Sequence, residues 1–206
     1  MTAAAGVRWV EDWLLPQLGE TRALDIAKIE PADTDRAVAG AELGRLARAG
    51  HRVRLHVVAR AADLPADDEA FDVILCGGFG ILGERIGRGG LVAAMSRALR
   101  PGGRLHLHVG NRVAPVDLTG NAPLLHGPRD RRLITLAEAE ALFVGSGAFA
   151  RVRPASPAGY QGWARLGALR PLGRLADALW DRVLTPDRRW LYASPFNPSL
   201  VLWIDR

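Results

Sequence analysis

The chain has 206 residues, 49% of them hydrophobic, enough for one domain of ordinary size with a full core. No apolar run approaches the roughly 20 residues of a membrane span, the first residues lack the basic-then-apolar order of a secretory signal, and the one cysteine, Cys76, excludes an internal disulfide or a cysteine-based zinc cage. Net charge is +5, but the basic residues are scattered arginines, with Lys28 the one lysine and no aromatic-interleaved basic stripe, so a soluble cytoplasmic protein without a nucleic-acid partner is expected.

Val7, Val10, Trp13, Leu14 and Leu18 recur at helical spacing over 7–18, and Gly19 closes that helix. Residues 22–27 (RALDIA) read as a short apolar strand containing Asp25. A helix over 34–49 follows, stopped by Gly50, and 52–59 (RVRLHVVA) is a strand with Val53, Leu55 and Val57 on one face. The nearly continuous apolar run Phe71–Cys76 marks a strand buried on both faces. Gly77, Gly78 and Gly80 then allow a sharp turn or a close approach. Leu91, Val92, Met95, Ala98 and Leu99 form a helix ended by Pro101-Gly102-Gly103, and the strand 103–109 follows. Strand, glycine turn, helix, stop and strand make a parallel crossover unit. Residues 110–132 are a long Pro/Gly/Asn-rich loop. Thr135 and Glu138 form a capping box opening a helix to Val144, and 149–154 is a strand. An appended amphipathic segment, 161–192, carries Trp163, Leu175, Leu179 and Trp180, and 199–204 closes the sheet. The whole chain, 1–206, reads as a single domain.

Ala62-Asp63-Leu64-Pro65, Phe71–Cys76 and Leu99–Leu105 (LRPGGRL), in that order, resemble the fourth-strand region of class I S-adenosylmethionine-dependent methyltransferases. The resemblance implies an α/β, Rossmann-like, mostly parallel sheet with helices on both faces, its last strand pairing antiparallel at the sheet edge. Only 47 positions separate Asp25 from Asp72, where the family places three crossover units. Since one strand-plus-helix unit needs roughly 20 residues, the sheet is expected to be one βα unit short. Either the second helix and third strand are deleted, or the second and third strands are merged in 52–59.

By family position, the cofactor-side residues are Asp25, Ala27, Arg60, Asp63, Cys76 and Gly77. Two departures stand out. The family's first strand runs into a glycine-rich loop that receives the cofactor, whereas here Ala27-Lys28-Ile29-Glu30-Pro31 follows and Glu30 adds a negative charge. The family's adenine-side acid is matched by Arg60, which donates only, with Asp63 as a substitute one slip of register away.

His126, in the long loop, is the one candidate catalytic base, or an ordinary surface residue. His106 and His108 share a strand face, but no third ligand is apparent, so a core role is preferred and no metal site is expected. Cys76 has no visible base partner and reads as a small buried residue.

Three functions remain. The first is a non-catalytic or auxiliary member of the family with a degraded S-adenosylmethionine site, paired as a homo- or hetero-oligomer, for instance with an active homologue. The second is an active methyltransferase using S-adenosylmethionine on a small molecule. The third is an enzyme reusing the cleft with no cofactor. The residues favour the first.

Overall fold

The computed structural model describes residues 10, 14–19, 22–34, 36–115, 130–155, 175, 179, 188–195, 197 and 199–206. Its centre is a six-stranded sheet: β1 (Asp25–Pro31), β2 (Arg52–Val58), β3 (Phe71–Cys76), β4 (Leu99–Gly110), β5 (Arg151–Pro154) and β6 (Ser199–Asp205). The spatial order is β2-β1-β3-β4-β6-β5. β1 pairs parallel with β2 and β3, and β3 parallel with β4. β6 runs antiparallel to both β4 and β5. The helices are α1 (Leu15–Leu18), α2 (Arg36–Arg48), α3 (Phe79–Ile86), α4 (Arg88–Ala98), α5 (Leu136–Phe143) and α6 (Arg189–Tyr192). None of the described helices is long and apolar enough to cross a membrane.

The α/β, mostly parallel architecture matches the expectation, and so does the shortened sheet. β2 is the edge, and a 3-10 turn (Ala61–Asp63) and a loop lead from it directly to β3 on the far side of β1. The absent unit therefore lies beyond β2.

Strand alternation divides the core. Ala27, Ile29, Ile74, Cys76, Leu105, Leu107, Leu202 and Ile204 face one side, where they pack with Phe79, Leu91, Met95 and Phe143 from α3, α4 and α5. Ile26, Val73, Leu75, Val201 and Trp203 face the other, against Val10, Leu14, Leu43 and Leu46. α5 opens on the expected capping box: the Glu138 amide donates to Thr135 Oγ1 at 3.1 Å, and the Thr135 amide donates to Glu138 Oε2 at 2.8 Å.

Three expectations are corrected. β1 does not stop at Ala27 but continues through Pro31, because Lys28 and Glu30 are buried and neutralise each other instead of forming a loop. β4 starts at Leu99 rather than at 103, crossing a register shift between Phe71 and Val73. β6 is antiparallel as expected but lies inside the sheet, with β5 at the edge. Most of the segment 161–192 lies outside the described residues.

Candidate functional site

Open parallel sheets hold ligands beyond the carboxyl ends of their strands. That edge is formed here by Glu30-Pro31, the turn after Val58, Cys76-Gly77-Gly78 and Asn111. Gly78 adopts the left-handed conformation at the start of α3, with φ 58°. The Gly77 amide donates to the Ile29 carbonyl at 2.9 Å, closing the ends of β1 and β3 on each other. Asn111 is fully buried, and its side-chain amide donates to the Ser194 and Asn197 carbonyls at 3.1 and 2.8 Å. The segment before β6 is thereby tied down over the end of β4.

A buried charge cluster occupies the end of β1. Lys28 and Glu30 point to the same face, and α2 brings Glu42 above them. Lys28 Nζ lies 2.9 Å from Glu30 Oε1 and donates to Glu42 Oε2. All three residues are at least nine-tenths buried. Burial works against the Lys28 ammonium, but the carboxylates of Glu42 and Glu30 outweigh it and hold the group above the ordinary lysine value. Thr34 Oγ1 donates to Glu30 Oε2 at 3.3 Å. The Glu30 carboxylate rests on Gly77: a Cβ there would stand 2.5 Å from Glu30 Oε1. The glycine at 77 therefore makes room for a side chain of the same protein.

The six cofactor-side candidates do not all come together. Cys76 and Gly77 are at the carboxyl edge, and the turn after β2 carries Arg60 and Asp63 at the same edge. Cys76 is buried, and burial, with Glu30 adding to it, pushes its thiol well above the ordinary range, which removes it as a nucleophile. Ala27 is buried in mid-strand. Arg60 is exposed, and Asp63 accepts the amides of Ala59 and Arg60, both at 3.0 Å, so that it caps its own turn. Asp25 begins β1 and stands at the opposite edge of the sheet, against expectation, because β1 starts three residues later than the apolar pattern suggests. His126 lies outside the described residues.

His106 is buried against Trp203, ring centroids 5.1 Å apart, and burial, aided by the Lys28 charge, pushes it down to about 3. It stays neutral at physiological pH. Among the described residues no group of three or more His, Cys, Asp or Glu could hold a metal.

At the opposite edge Asp25 joins a network that sequence reasoning missed. Arg52 meets Asp25 bidentately at 2.6 and 2.8 Å, and Arg100 bridges Asp25 and Asp72 at 2.9 Å to each. Arg22 reaches Asp72 Oδ1 at 3.0 Å, and the Asp25 amide donates to Asp72 Oδ2 at 2.9 Å. The Arg52 and Arg100 guanidinium groups hold the Asp25 carboxyl far below the usual range. A cleft of about 220 Å³ opens beside this network, between α1, the start of β3 and the Pro101-Gly102-Gly103 turn.

No family model and no curated protein matches the sequence. Solved structures do match in shape. An S-adenosylmethionine-dependent methyltransferase from Mesorhizobium loti superposes with a TM-score of 0.52 at 14% identity, over 100% of both chains. Phosphoethanolamine N-methyltransferase 2 of Haemonchus contortus, in complex with S-adenosyl-L-methionine, gives 0.50 at 13% identity, over 99% of this chain and 56% of that one. At such identities the likeness is one of fold.

Proposed function

We propose that this chain, which has the class I S-adenosylmethionine-dependent methyltransferase fold, is a non-catalytic form of it that serves as an auxiliary partner of an active enzyme. One observation carries the reading. Where the fold's cofactor-binding members have a glycine loop, β1 runs on as strand, and Glu30 of the Lys28–Glu30–Glu42 cluster takes the space next to Gly77. Backbone amides that a loop would offer to a carboxylate are instead paired within the sheet, and the chain's own Glu30 carboxylate lies beside Gly77. The candidate acids are engaged elsewhere, Asp25 at the far edge and Asp63 in its own turn. The described residues also hold no nucleophile–base pair, which weighs against an enzyme that reuses the cleft without a cofactor.

Calorimetric titration of the full chain with S-adenosylmethionine and with S-adenosylhomocysteine tests this. Loss of the anion-binding loop and two polar anchors removes roughly 3–5 kcal/mol, so a micromolar site becomes one with Kd between about 0.1 and 4 mM. Low-micromolar binding of either compound would overturn the reading and favour an active methyltransferase acting on a small molecule.

The partner half of the reading rests on apolar side chains left in solvent. Leu175, Leu179 and Trp190 are 58%, 53% and 71% exposed, and the two leucines are one helical turn apart. Sedimentation velocity is expected to show a species larger than the monomer, which Leu175→Asp with Leu179→Asp converts to monomer. A wild-type chain that stays monomeric would remove the homo-oligomeric form of the proposal.

A further inference from the structure

We infer that the cleft at the amino edge of the parallel strands is a second binding site, for a small organic anion with a phosphate or carboxylate head and a short apolar body. This inference does not depend on the state of the cofactor edge, since the cleft opens at the opposite end of the sheet.

The charge balance carries the argument. Six arginines (Arg22, Arg52, Arg100, Arg104, Arg151 and Arg153) are tied into ion pairs with only three aspartates, Asp25, Asp72 and Asp205. Among the described residues these form two networks, Arg22, Arg52 and Arg100 with Asp25 and Asp72, and Arg104, Arg151 and Arg153 with Asp205, with one and two positive charges in excess. The aspartates are already saturated. Both oxygens of Asp72 are engaged, by Arg22 on one side and by Arg100 and the Asp25 amide on the other. Asp205 is gripped by Arg151 and Arg153 at 2.7–3.3 Å. The two arginines that line the cleft hold the uncommitted donors. Among the described residues the Arg22 guanidinium meets only Asp72, through one nitrogen, and the Arg104 guanidinium meets only Asp205, at 3.8 Å, beyond hydrogen-bond distance. A guanidinium offers five N–H donors in a planar fork suited to carboxylate or phosphate.

The rest of the wall sets the size and the body of the ligand. Leu18, Leu24, Val73 and Pro101 supply apolar surface next to the two forks. At about 220 Å³ the cleft is smaller than the roughly 300–1,000 Å³ of drug-sized pockets, which excludes a nucleotide-sized occupant. The near wall is anchored rather than loose, because Trp203 Nε1 donates to Gln17 Oε1 at 2.6 Å and fixes α1 to β6.

The test is calorimetric titration of the full chain with phenyl phosphate and with benzoate, with benzyl alcohol as the uncharged analogue. Phenyl phosphate or benzoate is expected to bind at one site per chain, weakening at high salt, and benzyl alcohol not to saturate. Whichever anion binds more tightly identifies the head group. Arg22→Ala and Arg104→Ala, both at exposed side chains, are each expected to weaken binding at least tenfold. Arg85→Ala, which removes a surface arginine paired with Asp33 next to the other edge, is expected to change it less than twofold. Thermal melts of the three variants within a few degrees of wild type establish that they are folded. Absence of saturable binding overturns the inference, as does equal loss in Arg85→Ala or retention of affinity in both cleft variants.

Discussion

Lys28→Met is expected to destabilise the protein by about 3–5 kcal/mol, because it strands two buried carboxyl groups without their cation. The side chain that replaces lysine has nearly its length and no charge, so packing changes little and the electrostatic loss dominates. Glu30 and Glu42 are 8% and 1% exposed, and neither can turn to water without opening α2 away from β1. Chemical denaturation with urea measures the loss as a lower midpoint at unchanged slope. Adding Glu42→Leu to Lys28→Met recovers part of it, since one of the stranded groups is then gone. The pH dependence has a defined sign. The Lys28 ammonium is held above the ordinary lysine value, so its contribution is fully present below the unfolded-state pKa of about 10.4 and is lost as pH rises through the folded-state value. The gap between wild type and Lys28→Met should be constant from neutral pH to about 10 and narrow above it. A loss under 1 kcal/mol would mean that water reaches the cluster, and the reading of the end of β1 as closed would have to be reconsidered.

That cluster also marks the limit of what the sequence discloses. The strands at 52–58 and 71–76 were legible because their side chains obey simple rules, one alternating and one apolar at every position but Asp72. Pattern reading ends β1 at Ala27, because a lysine and a glutamate flanking Ile29 look like loop. Their burial depends on Glu42, 14 positions from Lys28 on another element. The misplacement of Asp25 follows from the same error. In a parallel sheet the two ends of a strand lie on opposite edges of the molecule, so a shift of three residues in the start of β1 carries Asp25 from the ligand edge to the other one. The sequence does carry a signal for the place of β6. Leu200–Ile204 is apolar at every position, as Val73–Cys76 of β3 is, and this argues for a strand flanked on both sides rather than one at an edge. The Arg22–Arg100–Asp72 network had no such signal, since it depends on the irregular register where Phe71 meets Leu99 and Val73 meets Arg104.

The second large effect is expected at Gly80, where α3 leaves the ligand edge. Gly80 is buried, and a Cβ there would overlap the Arg132 carbonyl, with the carbonyl carbon 2.6 Å away. The neighbour is backbone, so no rotamer change relieves the contact. The segment cannot slide either. Arg88 holds it by donating to the Arg131 and Leu133 carbonyls, and Ile134 is paired to β4 through its amide to the Gly110 carbonyl at 3.1 Å and its carbonyl to the Arg112 amide at 3.1 Å. The strain must move α3, whose Phe79 packs on Phe143 at 5.7 Å between ring centroids. Gly80→Ala is therefore expected to cost about 3 kcal/mol, the upper part of the range for overpacking. Gly40→Ala is the matched control. It makes the same chemical change inside α2, where nothing lies within 4 Å of the new Cβ, and so is expected to stabilise by about 0.5–1 kcal/mol. Both substitutions restrict the unfolded chain equally, so the difference between them isolates the folded-state clash. Urea midpoints moving in opposite directions would confirm that the 130–134 backbone is pressed against α3. A Gly80→Ala midpoint equal to that of Gly40→Ala would show instead that this segment yields freely, and that the edge above β3 and β4 is open to a ligand.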